Sequence, residues 1–214
     1  MEECNTKHKG LDGFNYDLNE ARIHGNFFER IFHNRRLNFW LSAVDYKNKK
    51  VLDIGCNTGI VLIPLKEKGV DILGIDISIS DIKKAKKSLS QKKLSEKCVQ
   101  VANAAKLPFK NNYFNVVLLS DILEHVTEPN IVAKEAIRVV KPNGIVLVTV
   151  PNELHPVVKY PWVRKLLTGR KNVDEHLDIP FSKKKLSKLF CETKIIKLSF
   201  IGFGSEILGI FKKI

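Results

Sequence analysis

A chain of 214 residues, 44% of them hydrophobic, is long enough for one core and too apolar for a disordered polymer. Its net charge of +13 points toward anionic partners such as nucleic acid or acidic lipid, although scattered lysines usually decorate a solvated surface. Cys4, Cys56, Cys98 and Cys191 form no CxxC pair and no stretch approaches the ~20 apolar residues of a membrane span, which speaks against a zinc knuckle and a transmembrane segment.

The N-terminus lacks an apolar signal-peptide core, and the cysteines read as reduced, so the expected compartment is the cytoplasm. Residues 1–18 are a polar lead-in. Residues 19–44 predict helix, with Phe27, Phe28, Ile31 and Phe32 followed by Leu37, Trp40, Leu41 and Val44 at helical spacing. Lys50–Ile54 predicts a first strand, and a glycine-containing turn follows at once. Residues 58–68 predict helix, with Thr58 placed to cap it and Gly69 to end it. Further strands are expected at Val70–Ile75, Cys98–Ala102, Phe114–Ser120 and Ile145–Val150. Helices are expected at 79–91 and Pro129–Val140, and a turn at Lys141–Gly144. Strands alternating with helices imply right-handed βαβ units and a parallel sheet covered on both faces. Residues 151–181 break the rhythm with Pro151, Pro156, Pro161 and Pro180 and predict a lid. A helix at Ser182–Phe190, a strand at Lys194–Phe200 and a last element of open type at Ile207–Ile214 complete the chain.

The segment Asp53-Ile-Gly55-Cys56-Asn57-Thr-Gly59 joins the first strand to its helix, where open α/β sheets bind ligands. Its spacing is not the GxGxxG of a dinucleotide site. Asp76, after the second strand, suits ribose hydroxyls; the competing reading is a turn or cap residue.

Four segments in order carry a resemblance: Val51–Gly59 (VLDIGCNTG), Gly74–Ile77 (GIDI), Asn103–Phe109 (NAAKLPF), and Asn112–Val126 with Lys141–Gly144. The chain resembles the class I S-adenosylmethionine-dependent methyltransferases, close to the ubiquinone and menaquinone biosynthesis subgroup. The resemblance implies a Rossmann-like, doubly wound, mostly parallel α/β sheet. It implies one methyltransferase domain over 1–214: an N-terminal helical cover (1–46), a cofactor-binding core (47–152), a lid after the fifth strand (153–181) and the end of the sheet (182–214). The implied cofactor is S-adenosylmethionine. Asp53, Gly55, Cys56, Asn57 and Gly59 would hold its methionine part, Asp76 its ribose, and Ile77, Asn103 and Ala104 its adenine. Ser120 would line the methionine end. Asn103 stands where the family usually has aspartate.

Methyl transfer needs alignment and exclusion of water, and a base only if the acceptor must lose a proton. His125 and His176 are the candidate bases; each can equally be a structural histidine. Asp121 and Glu124 would share a helical face at i, i+3, but with His125 their spacing is not diagnostic of a cation site, and no metal is assigned. The acceptor expected is a small molecule, anionic or apolar, methylated on oxygen. RNA or protein methylation through the basic surface, peripheral membrane contact by the Trp162–Lys171 segment, and a catalytically silent binding module are the alternatives.

Overall fold

The computed structural model describes residues 22–25, 27–160, 162–163 and 181–214. The expected lid therefore lies mostly outside the described residues, as do His176 and the side chains of Phe28 and Phe32.

Helix α1 (Phe27–Ser42) leads into β1 (Lys50–Ile54), α2 (Leu62–Glu67), β2 (Asp71–Asp76), α3 (Ile79–Gln91), β3 (Val99–Val101) and β4 (Phe114–Ser120). Then come α4 (Pro129–Val139), β5 (Val140–Pro151), α5 (Pro156–Lys159), α6 (Lys183–Leu189), β6 (Thr193–Ile201) and β7 (Glu206–Lys213). The seven strands form one sheet in the order β3-β2-β1-β4-β5-β7-β6. The pairs from β3 to β5 are parallel, whereas β7 runs antiparallel to both β5 and β6.

Both faces are covered, which is why the strands are apolar runs rather than alternating ones. In β4, Val116 and Leu118 face Trp40 of α1, Leu62 of α2 and Ile82, Ala85 and Leu89 of α3. Val117 and Leu119 face Val132, Ala136 and Val139 of α4 and Leu186 of α6. The chain order reverses between β1 and β4, so the carboxyl ends of these two strands flank the crevice where such sheets place ligands.

Two local expectations change, and one element left open takes a definite form. Thr58 does not cap α2: Val61 occupies the cap position without a side-chain bond, and the Thr58 hydroxyl is buried with no partner. Lys141–Gly144 is not a turn between two elements but a bulge inside β5. The register jumps from Phe114↔Val140 to Val116↔Ile145, and Asn143 adopts φ 63°. The last element is a strand, and an inner one. Ile207, Leu208 and Phe211 are fully buried, and Phe211 stacks on Phe190 at 4.4 Å between centroids.

Candidate active site

The glycine loop leaves β1 and is tied to β2 by its own backbone: Gly55 N and Cys56 N both donate to Ile75 O, at 2.8 and 2.9 Å. Gly55, Asn57 and Gly59 have φ of 73°, 48° and 89°. Glycine takes such values freely, and asparagine is among the few other residues that tolerate them. The space a side chain would fill is already occupied by the protein. A Cβ on Gly55 would meet Ile122 Cδ1 at 2.7 Å, and one on Gly59 would meet Ile63 Cδ1 at 2.8 Å. These glycines thus serve loop curvature and packing rather than an open approach to a ligand.

Asp76 closes the loop. Its Oδ2 accepts from Asn57 N and its Oδ1 from Ser78 N, both at 2.9 Å. The turn role and a ligand role are therefore compatible, because each carboxylate oxygen keeps a lone pair. Burial raises the Asp76 pKa, and backbone hydrogen bonds from Ser78, Asn57 and Ile77 oppose that rise. Asp53 is 2% exposed and its Oδ1 has no partner. Burial, with the Asp76 charge nearby, pushes its pKa up to about 8. Cys56 is also buried, and its thiol pKa is raised well above the usual range by the same desolvation.

Ile77, 39% exposed, lies at the end of β2, and Asn103 lies just past β3, which is tethered to β2 by Ala102 N donating to Asp76 O at 2.9 Å. Asn103 Oδ1 accepts from Ala105 N at 2.8 Å, which bends the chain there. Ala104 is half-buried against the core. The loop, Asp76, Ile77, Asn103, Ala104 and Ser120 thus sit together at the carboxyl ends of β1 to β4.

Beyond Ser120 the chain turns rather than starting a helix, and Asp121 takes φ 47°. Asp121 and Glu124 consequently share no helical face. They converge instead on Arg36 of α1, a residue the sequence did not single out. The Arg36 guanidinium pairs with Asp121, donates to Ser120 Oγ at 3.2 Å and lies 3.5 Å from Glu206 of β7. Thr149 donates to the other Asp121 oxygen at 2.8 Å. Three carboxyls therefore surround one guanidinium. Burial, with Asp121 nearby, raises Glu124 well above the usual carboxylate range, and its Oε2 has no partner. Glu206 rises to about 7, because desolvation and the Asp121 charge outweigh Arg36. His125 is half-buried with Nε2 4.0 Å from Glu124 Oε1. No group of three metal-ligating side chains forms among the described residues. Arg36 and Glu206 carried no sequence signal, since neither sits in a recurring motif and each is brought in by tertiary packing.

Residues 52–148 match the family described as methyltransferase domain. The match covers a little under half of the chain and makes residues 52–148 similar to a methyltransferase domain. A ubiquinone biosynthesis O-methyltransferase of Pseudomonas fluorescens is 29% identical over 137 residues, 62% of this chain and 59% of that protein. One of Pelagibacter ubique is 36% identical over 107 residues, 50% of this chain and 44% of that protein. The chain thus spans roughly half the length of these curated relatives. Among solved structures, a protein of Pyrococcus horikoshii superposes with TM-score 0.71 at 22% identity, covering 88% of this chain and 93% of the other. A SAM-dependent methyltransferase of Methanosarcina mazei superposes with TM-score 0.63 at 22% identity, covering 78% and 93%. The chain has the class I methyltransferase fold, with the antiparallel seventh strand slotted between β5 and β6.

Proposed function

We propose that the chain transfers the methyl group of S-adenosylmethionine to an oxygen of a small-molecule acceptor. The observation that carries this reading is the domain match across residues 52–148, which includes the loop and Asp76 at the crevice. The relatives named as O-methyltransferases support oxygen as the acceptor atom. The loop fits the cofactor: the buried Asp53 Oδ1 is an acceptor with no donor in the protein, and the Thr58 hydroxyl of the same loop is equally unpartnered.

In this reading Asp53 takes the cofactor's cationic ammonium group, and Gly55, Cys56, Asn57 and Gly59 shape the seat of the methionine part. Asp76 accepts from the ribose hydroxyls with the lone pairs left free by Asn57 and Ser78. Ile77 packs on the adenine, Asn103 and Ala104 border its edge, and Ser120 lines the methionine end. When bound, the cofactor supplies a methyl group activated on a sulfonium, with a neutral leaving group. The chain's own work is alignment and exclusion of water. His125 and His176 belong to the acceptor side.

Calorimetry with S-adenosylmethionine tests the reading, with NAD as the control. Tight NAD binding without S-adenosylmethionine binding would sink it. Asp76→Ala is expected to weaken cofactor binding by about 1.5–3 kcal/mol, the scale of a hydrogen bond to a charged group. Unchanged affinity would remove Asp76 from the ribose role.

A further inference from the structure

The amino ends of β1, β2, β4 and β5 lie at one end of the sheet, and Asp53 and Asp76 lie toward the other. The length of β1 alone separates the two ends by about 13 Å. A cleft of about 430 Å³ opens at the amino ends of β1 and β2, beside the last turns of α1 and α2. Leu41, Leu65 and Val70 give it an apolar lining, and Lys47, Lys49 and Lys68 stand around them. None of these three ammonium groups has a hydrogen-bond or ion-pair partner among the described residues.

The basic surface continues past the cleft. Lys50, the first residue of β1, donates to the Tyr113 hydroxyl at 3.0 Å, and its ammonium lies 4.4 Å from the ring centroid. Lys110 reaches the same ring at 5.3 Å. Lys141 of the β5 bulge donates to Asn115 Oδ1 at 3.3 Å, the oxygen that also takes Lys50 N at 3.0 Å. Lysines therefore form a strip across the amino ends of β2, β1, β4 and β5. At ~4.8 Å between strands the strip is roughly 15 Å long. The acids beside it do not cancel it. Asp71 pairs with Lys50 at 3.8 Å, Glu67 pairs with Lys92 at 2.6 Å, and one Asp45 oxygen accepts from Lys47 N. The helix ends of α1 and α2 add at most about half a negative charge each.

We propose that this strip binds a single-stranded nucleic acid, with backbone phosphates on the lysines and one unpaired base in the cleft. The strand is a partner held away from the cofactor crevice and is not the methyl acceptor. Charge complementarity selects a polyanion. The cleft selects a single strand, because a base can cover its apolar lining only when it is not stacked inside a duplex. Tyr113, set between Lys50 and Lys110, adds an aromatic ring to the cationic track, the combination that single-strand binders use. The strip reaches no more than about four phosphates, at one per ~3.4 Å of a helical strand.

Fluorescence anisotropy on the cofactor-free protein, with a labelled twelve-residue oligouridylate and the matching oligothymidylate, tests this. Affinity should fall about 15- to 50-fold between 50 and 200 mM salt, the loss set by three to four phosphates on a single strand. Tighter binding of the oligouridylate assigns the strand as RNA, since only RNA offers a 2′-hydroxyl; equal affinity means that the shared backbone is read. The triple variant Lys47→Gln, Lys49→Gln, Lys68→Gln should weaken binding at least 10-fold and flatten the log–log salt slope by about 2. Lys83→Gln, Lys86→Gln, Lys87→Gln removes the same charge from α3 and should weaken binding less than 3-fold. Both variants should keep the wild-type melting temperature. No binding at 50 mM salt overturns the proposal, and so does an equal loss in the two triple variants. Equally tight binding of an RNA duplex of the same length overturns the single-strand assignment. Displacement by polyglutamate at equal charge concentration moves the surface to an acidic protein. Competition between S-adenosylmethionine and the strand overturns its placement away from the crevice. Failure of the wild type to bind S-adenosylmethionine at all is a separate result, which removes the methyl-transfer reading and leaves the strand site standing.

Discussion

Asp53 has a carboxyl buried in the core end of β1 with one oxygen unmet, and burial beside Asp76 holds its pKa near 8. A carboxyl whose folded pKa lies above its unfolded value of about 3.9 favours the fold only while protonated, and that contribution is lost as pH rises toward 8. Asp53→Asn keeps the shape without the ionisation. It should therefore stabilise the cofactor-free protein at pH 8 by about 1–3 kcal/mol, read as a higher melting temperature, and leave it nearly unchanged at pH 4. Calorimetry on the same variant should show weakened S-adenosylmethionine binding. An equal melting shift at both pH values would mean that packing, not charge, explains the change. Asn57 allows a second check nearby. Its φ of 48° suits asparagine or glycine, so Asn57→Ala should cost about 1–2 kcal/mol in urea unfolding while Asn57→Gly costs less.

At the scale of elements, α1 is held to the sheet by Trp40, fully buried against Val51, Leu62 and Val116, and by the Arg36 ion pairs at the crevice. Trp40→Ala should cost about 3–5 kcal/mol, measured by urea unfolding. If α1 were only a loosely attached cover, the loss would be under 1 kcal/mol. The position of this helix shows where reading the sequence succeeds and where it stops. Elements with a clean period were legible: β1 and β4 lie at the expected residues, and α3 spans Ile79–Gln91 as its apolar spacing requires. The glycine-containing turn after β1 was legible from its own residues, but its tie to Asp76, 19 positions away, comes from the pairing of β1 with β2. The bulge at Lys141–Gly144 was not, since a Pro-Asn-Gly sequence suits a connecting turn as well as a bulge, and only the β4 register decides. Neither was β7. Its central Leu-Gly-Ile-Phe is too short to separate strand from helix by period, and its burial comes from both neighbours at once. The Arg36 cluster was invisible for the same reason. It joins Arg36 to Asp121 and Glu206, 85 and 170 positions away, and Arg36 and Glu206 each read alone as an ordinary surface charge.

For the whole molecule, the charges divide. Exposed lysines supply the positive excess, while the crevice gathers Asp53, Asp76, Glu124 and Glu206, and all four have pKa values raised mainly by burial. Between about pH 4 and pH 8 the folded protein therefore binds more protons than the unfolded chain. Stability must then fall as pH rises through that window. Glu135 has the opposite sign: its hydrogen bonds from Arg138 lower its pKa, so its contribution is present above the usual carboxylate range and fades on acidification. With four groups against one, the cofactor-free protein should melt higher near pH 5 than at pH 8. The ligand should reverse part of this. A cationic ammonium placed on Asp53 favours its ionised form, so S-adenosylmethionine should bind more tightly at pH 8 than at pH 5. It should also raise the melting temperature more at the higher pH, following the mass-action relation between ligand concentration and stability. Melting curves at both pH values, with and without saturating S-adenosylmethionine, measure all four corners of this cycle. A ligand-induced shift larger at pH 5 would place the ammonium away from Asp53 and return that carboxyl to a purely structural role.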